Sequence, residues 1–328
     1  MARAEIRRIL FIRTDRLGET LLNLPAVVAL KTALPQAEVS FLAQRDLVPL
    51  LRGVPEITDV LASAQGPRGL WWARALAVAA QLRARRFDAA IVSNPKQELH
   101  AAVWLAGIPV RVGYGRKWGG LLTHRLPDRK ALGERHEVEY NLDLVRALGL
   151  SAVDGRWPSF RFEREQAELV QLLEQQGVRP AEPFIAVHPW TSNPRKQWPF
   201  ERYRELIRRL GGQHKPRVTV IGAAQQRQAV DAILGSGAGV VDLVGRVTLR
   251  QLAALLQRAR LLISNDSGPA HLAAAVGTRT VVLFGTSDPS TGPGRWGPWG
   301  KGHLVIAQPS MDAITVEQVL DAVGCQLQ

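Results

Sequence analysis

Residues 261–289 constrain the fold more than any other stretch, because they have the pattern of a strand, a turn, a helix and a second strand. Residues 261–264 are a short apolar run, and residues 265–269 (Asn-Asp-Ser-Gly-Pro) supply an N-cap and an early proline for a helix at 271–276. A β-branched run follows at 280–284. In a parallel sheet, such a unit places the N–H groups and the positive dipole end of the helix beside the carboxyl ends of the strands. The sequence therefore predicts a phosphate-binding turn.

The same alternation of strands and helices occurs in both halves of the chain. Further strands are predicted at residues 7–13, 39–42, 57–61, 87–93, 110–115, 184–188, 217–221 and 240–242. Further helices are predicted at residues 21–34, 46–52, 69–85, 97–105, 137–148, 163–176, 200–210, 225–234, 249–258 and 316–323. This spacing indicates βαβ units and parallel sheets covered on both faces.

Length and cysteine content bound the class of protein. A chain of 328 residues exceeds a typical single-core domain, and a polar stretch at 151–162 without periodicity predicts a linker, so we expect domains at 1–160 and 161–328. The single cysteine, Cys325, excludes a disulfide framework and a thiolate metal site, and it favours a reducing compartment. Because the chain lacks a signal-peptide pattern and any apolar run of about eighteen residues, we expect a cytoplasmic protein.

The net charge of +13 predicts an anionic partner. Residues 1–160 contain 23 Lys and Arg against 15 Asp and Glu, so the excess lies mainly in the N-terminal half. An anionic membrane surface and nucleic acid are both candidates, although the charge can also reflect an Arg-rich composition alone. Since no recognition-helix, zinc-finger or ribonucleoprotein signature is present, a nucleic-acid partner is not expected.

The predicted phosphate turn resembles a motif of the family 9 glycosyltransferases, the lipopolysaccharide heptosyltransferase family. The residues on the family pattern D-[ST]-G-x-x-H are Asp266, Ser267, Gly268 and His271. The resemblance covers nearly the whole chain and implies the GT-B architecture, an α/β fold of two doubly wound Rossmann-like domains that face each other across a cleft. It further implies an acceptor-binding first domain, a nucleotide-sugar-binding second domain and a last helix that can pack back on the first. Taken alone, Asp266 or Ser267 could simply cap the helix, and His271 could be a packed helix residue.

The first strand, loop and helix, IRTDRLGETLLNLP, resemble the N-terminal signature of the same family. In the family an acidic residue, more often Asp, stands at the position of Glu19 and acts as the general base for the acceptor hydroxyl. Glu19 is therefore the candidate base, while Asp15 in the same loop is a candidate acceptor-binding residue and a rival base. Alternatively, Glu19 only complements the dipole of its helix.

The stretch HPWTSNPRKQWP at residues 188–199 resembles a third family motif. Thr191 and Ser192 would donate hydrogen bonds to the donor diphosphate, and Lys196 would stabilise the charge on the leaving group. A surface lysine without a catalytic role is the alternative.

Two more turns complete the predicted donor site. Gly222 follows a predicted strand, and Gln225 stands where the family often has an acidic residue that contacts ribose. Residues 245–249 resemble the family pattern G-x-x-[ST]-L, which places the backbone of Val247 near the base.

Residues 116–136 form a basic stretch that is predicted to be a loop and that no core explains. Arg116 and Lys117 are expected to bind an anionic acceptor or a membrane surface. A solvated loop is the alternative, since charge runs are commonly solvated.

The resemblance implies an inverting glycosyltransferase without a cofactor, and the absence of a DxD motif favours transfer without a metal ion. Its partners would be a nucleotide-diphospho-sugar donor, most simply ADP-heptose, and an anionic lipid-linked saccharide acceptor at the cytoplasmic membrane face. The same fold with another nucleotide sugar is the alternative, and a basic nucleic-acid-binding protein is the least favoured.

Overall fold

The computed structural model describes residues 6–64, 70–151, 154–179, 182–211, 216–234 and 239–328. The chain divides into two compact units, Met1–Phe160 and Arg161–Gln328. Each unit contains one six-stranded sheet with helices between its strands. The predicted α/β class with two doubly wound halves is confirmed.

Among its described residues, the first unit has six parallel strands and six α-helices. The strands are β1 (Arg8–Ile12), β2 (Glu38–Ala43), β3 (Asp59–Ala62), β4 (Ala89–Val92), β5 (Val110–Tyr114) and β6 (His124–Leu126). The helices are α1 (Leu17–Leu21), α2 (Leu24–Ala33), α3 (Val48–Leu51), α4 (Trp71–Arg83), α5 (Gln97–Leu105) and α6 (Glu137–Arg146).

The second unit has six parallel strands and seven α-helices among its described residues. The strands are β7 (Phe184–His188), β8 (Arg217–Val220), β9 (Val240–Asp242), β10 (Leu261–Asn265), β11 (Thr280–Gly285) and β12 (His303–Gln308). The helices are α7 (Glu163–Gln175), α8 (Phe200–Leu210), α9 (Asp231–Leu234), α10 (Leu249–Arg258), α11 (Gly268–Ala275), α12 (Pro293–Trp296) and α13 (Val316–Leu327). The last helix, α13, packs on α8 and on β10, β11 and β12.

Both sheets have the same strand order. The first is β3-β2-β1-β4-β5-β6, and the second, read in the corresponding direction, is β9-β8-β7-β10-β11-β12. In each sheet the first three strands extend to one side, and the fourth strand then pairs with the first and extends the sheet to the other side. The strand order therefore reverses between β1 and β4 in the first sheet and between β7 and β10 in the second. Ligands of doubly wound folds bind at the carboxyl ends of the strands at such a switch point.

The central strands explain why the sequence contains continuous apolar runs. Every residue from Ile9 to Ile12 in β1 and from Ala89 to Val92 in β4 is fully buried. Strands covered on both faces are apolar throughout, whereas strands with one solvated face alternate. In β10 the buried run ends in two polar residues, Ser264 and Asn265. Their side chains must be hydrogen-bonded to be tolerated there.

Most predicted elements are present, and α5, α8, α10, β7 and β9 have the predicted bounds. The helix predicted at 21–34 instead begins at Leu17 and is interrupted before Pro25, because proline lacks the N–H group that a helix interior requires. Asn23 stabilises the break by donating from Nδ2 to the carbonyl of Glu19 at 2.6 Å. The helix predicted at 225–234 is a 3₁₀ segment, Ala224–Ala229, followed by α9.

Two edge strands, β6 and β12, are not predicted. β6 has only three residues, two of them exposed, and it lies in the stretch predicted to be a loop. An edge strand pairs on one side only and therefore needs little apolar pattern. The predicted start of the helix at Gly69 lies outside the described residues. No helix of the described ranges is long and apolar enough to cross a membrane.

Candidate active site

Asn265, at the end of β10, connects the two loops that flank the switch point of the second sheet. Its Oδ1 accepts hydrogen bonds from the hydroxyl of Tyr203 at 2.9 Å and from the backbone N–H of Trp198 at 3.3 Å. Its Nδ2 donates to the carbonyl of Pro189 at 3.0 Å. The buried amide thus fixes the loop after β7 against the turn after β10. Sequence reasoning missed this role, although Asn265 directly precedes the recognised motif.

The turn after β10 leads into α11, whose first residue is Gly268. Ser267 occupies the N-cap position in extended conformation, but its side chain makes no capping hydrogen bond. Its Oγ lies instead 2.8 Å from Ser264 Oγ and 3.3 Å from His188 Nδ1. The helix N-terminus therefore keeps backbone N–H groups that the Ser267 side chain does not cap, an arrangement suited to an anion. His271, one turn further, is buried on α11.

His188, the last residue of β7, lies behind this turn. Burial lowers the pKa of His188 to about 4, so the imidazole is neutral at physiological pH. Its Nδ1 is within 3.4 Å of Ser264 Oγ as well as close to Ser267, so the neutral ring can accept a hydrogen bond from either hydroxyl. His188 is the first residue of the motif at 188–199, but no local pattern marks it as a site residue.

Lys196 and Asp266 form an ion pair at this edge of the sheet. Lys196 ends a short 3₁₀ segment, Pro194–Lys196, while Asp266 follows β10, so the fold brings together two predicted donor-binding residues that are 70 positions apart. The Asp266 side chain is 7% exposed and that of Lys196 is 32% exposed. Asp266 is thus a charge partner rather than the cap of α11.

A pocket with a volume of about 280 Å³ opens beside this ion pair. Two cations and two carboxylates line it together with the loop after β11, and its lining residues are Asn193, Arg195, Lys196, Asp266, Leu283, Phe284, Gly285, Thr286, Asp288 and Thr291. Only glycine fits at position 285, since a Cβ there would overlap the backbone nitrogen of Met311. The first part of the loop after β11 lies in the stretch at 261–289, but its residues were not among the predicted site residues.

The remaining predicted donor residues do not line this pocket. Thr191 is half-buried, and its Oγ1 accepts from the backbone N–H of Asn193 at 3.3 Å. Ser192 is exposed on the same loop. These residues, with Ser267, Gly268 and His271, lie in the loop after β7 and in the turn and helix after β10, at the switch point of the sheet.

Gly222 is explained by packing. A Cβ there would lie 2.7 Å from both the ring of Trp190 and Oε1 of Gln226. Trp190 is buried beneath this loop, and Gln226 accepts from the N–H of Ala223 at 2.8 Å. Sequence-predicted neighbours at the same sheet edge are Gln225, which is exposed after β8, and Val247, which is half-buried after β9.

In the first unit, Asp15 lies at the switch point between β1 and β4. Its carboxylate contacts Nε of Arg13 at 3.0 Å and Nζ of Lys96 at 2.7 Å, and it accepts from Nδ2 of Asn94 at 2.9 Å. Burial by itself would raise the pKa of Asp15, but Arg13, Lys96 and Asn94 outweigh it and hold the pKa below its usual range. Asp15 is thus a charge-balanced and weakly basic carboxylate.

Glu19 has a different environment, in the short helix α1. Its Oε1 lies 3.1 Å from Nη2 of Arg16, whose side chain is mostly exposed. The Glu19 side chain is 21% exposed, and its arginine partner can move aside in solvent. Its position in the first turn of α1 also permits a contribution to the helix dipole, although α1 has only five residues.

The basic stretch at 116–136 is partly structural, contrary to the expectation that no core explains it. Lys130 is buried, with its Nζ 2.6 Å from Glu137 and 4.5 Å from the centre of the Tyr114 ring. Glu137, which is fully buried, also lies 3.5 Å from Nη1 of Arg13. A sequence pattern of charges cannot reveal that one of them is paired inside the core.

The other cations of the stretch differ in their pairing. Arg116 lies 3.2 Å from Asp128, and Lys117 is exposed with a left-handed backbone. Arg125 and Arg129 are exposed and, like Lys117, have no carboxylate within ion-pair distance among the residues that the structure describes. Of the predicted acceptor-binding residues, Arg116 thus has a carboxylate partner, whereas Lys117 has none within the described part of the chain.

These features define a class of protein. Two doubly wound units, each with charged and hydrogen-bonding side chains at its switch point, are typical of proteins that bind nucleotides or related phosphate-bearing ligands. Among the described residues, no group of three or more His, Cys, Asp or Glu side chains is arranged to hold a metal ion.

Sequence comparison identifies the family. The sequence model of glycosyltransferase family 9 (heptosyltransferase) matches residues 75–319, and the chain belongs to this family. It is therefore a glycosyltransferase, as the motifs predict. The match begins after the loop that contains Asp15 and Glu19, so it does not include the predicted base.

Individual relatives agree with the family. Lipopolysaccharide heptosyltransferase 2 of Escherichia coli is 27% identical over 298 residues, which cover 87% of this chain and 85% of the relative. The structure of E. coli ADP-heptose LPS heptosyltransferase II superposes with a TM-score of 0.82 at 25% identity, covering 98% of both chains. A family 9 glycosyltransferase from Veillonella parvula has the same fold, with a TM-score of 0.87, 21% identity and 98% coverage of both chains.

Proposed function

We propose that the chain transfers a heptose from ADP-heptose to an anionic, lipid-linked acceptor of the lipopolysaccharide-core type, in a single inverting displacement that needs no metal ion. Its membership of the family supports the transfer reaction. The names of the E. coli relatives, a lipopolysaccharide heptosyltransferase and an ADP-heptose LPS heptosyltransferase, support the donor and the acceptor. The observation that carries the proposal is the Lys196–Asp266 pair beside the open N-terminus of α11.

The donor diphosphate would lie between Lys196 and the first turn of α11. The acceptor oxygen attacks the anomeric carbon while the bond from that carbon to the phosphate oxygen breaks, and the electron pair leaves with the nucleoside diphosphate. Because this group gains one negative charge, its contacts with Lys196 and with the helix N–H groups strengthen in the transition state. Asp266 would exchange part of its ion pair for hydrogen bonds from donor hydroxyl groups. Thr191, Ser192 and Ser267 would supply further donors to phosphate oxygens.

The proton of the acceptor hydroxyl would pass to Glu19. Its carboxylate has an exposed arginine partner, whereas Asp15 contacts two cations and has a lowered pKa. A base with a lowered pKa removes a proton less readily, so these contacts favour Glu19 over Asp15. Asp15 would hold Arg13 and Lys96 in place for the anionic acceptor.

The acceptor would be recognised by positive charge. Arg116 and Lys117 would contact its anionic groups, and the first unit has a net charge of +8 from 23 basic and 15 acidic residues. The enzyme would act in the cytoplasm at the inner face of the membrane, with no nucleic acid and no cofactor as a partner.

A donor with a nucleotide other than ADP is the specific alternative. Gln225, not a carboxylate, stands at the exposed position expected to contact ribose, so the same fold using another nucleotide sugar is the second candidate. Gln225 and Val247 would contact ribose and base, with Gly222 shaping the loop between them.

A thermal-shift panel of ADP-, UDP- and GDP-sugars tests the donor, followed by transfer assays. A donor at a hundred times its dissociation constant should add about 2.7 kcal/mol to the free energy of unfolding. Stabilisation by ADP-heptose alone is the expected result. Stabilisation by a UDP- or GDP-sugar alone would replace the donor, and stabilisation by none of them would contradict the proposal.

A further inference from the structure

Large apolar side chains are exposed at the start of α4. Trp72 and Leu76 are each 52% exposed, and because they are four residues apart they lie on the same face of the helix. Leu70, just before the helix, is 41% exposed. Trp118 is 53% exposed and lies beside the start of α4, since its ring meets that of Trp71 edge-on with centroids 4.7 Å apart. We call Leu70, Trp72, Leu76 and Trp118 the tryptophan patch.

The loop that presents Trp118 has an unusual backbone. Lys117 and Trp118 have φ values of 40° and 58°, in the left-handed region that residues other than glycine rarely adopt. Buried His100 supports this loop by donating from Nδ1 to the carbonyl of Lys117 at 2.7 Å. Lys117 and Trp118 are both exposed, so this backbone presents an ammonium group and an indole to solvent. Such backbone outliers typically mark functional sites.

Cations accompany the apolar side chains. Lys117 is adjacent to Trp118, and Arg125 on β6 lies beside the same loop, because the carbonyl of the following residue, Leu126, accepts from the N–H of Gly115 at 2.8 Å. Lys117, Arg125 and the nearby Arg129 are exposed and have no carboxylate within ion-pair distance among the described residues. Exposed indoles beside unpaired cations suit the boundary of an anionic bilayer, where rings lie at headgroup level and cations attract lipid phosphates.

We propose that the tryptophan patch docks the first unit on the surface of an anionic lipid bilayer. Trp72 and Trp118 insert at the level of the headgroups, while Lys117, Arg125 and Arg129 face the lipid phosphates. The inference deepens the proposed function, because it supplies the surface by which the enzyme reaches a lipid-linked acceptor.

Charge argues against the other occupants of this surface. A two-fold interface between copies of the chain would bring the same unpaired cations together, and like charges at an interface are repulsive. A bilayer with anionic headgroups satisfies these cations and buries the apolar side chains at the same time.

Vesicle flotation tests the proposal on the full chain. We compare phosphatidylcholine vesicles with and without phosphatidylglycerol, using the wild type and the double variant Trp72→Ala/Trp118→Asn. Asparagine is chosen at position 118 because it tolerates the left-handed backbone. Trp104→Ala is the matched control, since Trp104 is 51% exposed but lies near the C-terminal end of α5, away from the patch. The melting temperature of each variant checks that it is folded.

The wild type should bind the anionic vesicles and lose binding as salt increases. The double variant should bind at least roughly tenfold more weakly, in line with the apolar area that it loses, and Trp104→Ala should bind like the wild type. Arg125→Glu with Arg129→Glu should also weaken binding to the anionic vesicles.

Several results would overturn the proposal. These are wild-type-like vesicle binding by the double variant, equal binding to neutral and anionic vesicles, or a wild-type dimer that the double variant dissociates. Preferential loss of single-stranded RNA binding in the double variant would assign the patch to nucleic acid instead. Sugar transfer to a delipidated acceptor is measured in parallel. If the chain binds vesicles through the tryptophan patch but transfers no sugar, the result contradicts the proposed transfer reaction and supports the membrane-docking proposal.

Discussion

Replacing Lys196 by alanine tests whether this side chain acts in transfer or only balances the charge of Asp266. Its Nζ pairs with the Asp266 carboxylate, which is 7% exposed, at the edge of the pocket. We expect Lys196→Ala to slow transfer by roughly 10²–10³-fold, because the ammonium group proposed to stabilise the charge on the leaving diphosphate would be lost. This loss corresponds to about 3–4 kcal/mol in activation free energy.

The expected stability cost is smaller and has a different cause. Removing one partner of a fully buried ion pair costs about 3–5 kcal/mol, whereas an exposed pair contributes about 0–1 kcal/mol. Since the Lys196 side chain is 32% exposed, we expect an intermediate loss. Lys196→Ala should lower the free energy of unfolding by about 1–3 kcal/mol, mainly because Asp266 remains as an unpaired carboxylate. Adding Asp266→Asn removes that charge, so the double variant should regain stability without regaining activity.

Single-turnover transfer and urea unfolding, measured on the wild type, both single variants and the double variant, separate the two roles. Arg195→Ala is the matched control, because Arg195 lines the same pocket but has no carboxylate within ion-pair distance among the described residues. It should lose less activity than Lys196→Ala. Wild-type transfer by Lys196→Ala, or a double variant that recovers rate together with stability, would refute a catalytic role for Lys196.

Three further predictions concern other parts of the chain. Glu19→Gln should reduce transfer by roughly 10²–10⁴-fold while donor binding survives, and a dead Asp15→Asn beside an active Glu19→Gln would move the base to Asp15. Burial lowers the pKa of His188 to about 4. As the pH falls from about 6.5, the unfolded chain therefore takes up a proton that the folded chain does not. The free energy of unfolding should then decrease by up to roughly 3 kcal/mol. Urea unfolding at several pH values should show a shallower decrease in His188→Asn, and equal slopes would argue against a buried neutral imidazole. Gly285→Ala should destabilise the fold by about 1–3 kcal/mol and weaken donor binding, because the added Cβ would overlap a neighbouring backbone nitrogen. Gly294→Ala is the control, because the space around Gly294 is open. It should change neither the melting temperature nor the donor affinity measured by titration.

Local patterns were sufficient for elements whose signals are local. The start of α10 is a capping box, in which Thr248 accepts from the N–H of Gln251 at 3.3 Å and Gln251 accepts from the N–H of Thr248 at 2.9 Å. The apolar face of the helix then follows the helical period. β6 has neither feature, because a short edge strand is fixed by its single neighbour rather than by its own residues.

The candidate site depended on distant partners and could be predicted only in part. Asp15 and Glu19 are only four residues apart, and the sequence did not decide which of them is the base. Arg13 lies two residues before Asp15, but its other partners are Lys96 and Asn94, the latter 79 residues away from Asp15. Two separate motifs indicated Lys196 and Asp266, but only the folded structure shows that the two side chains pair directly.

The shared strand order of the two sheets has a consequence for how such a chain can evolve. Each sheet takes its six strands from one continuous half, so neither ladder is interrupted when the other half changes. If the first unit binds the acceptor and the second binds the donor, a gene fusion near residue 160 could replace one unit, and with it one specificity, while both sheets stayed intact. Donor and acceptor preferences would then be free to diversify at separate rates within one lineage.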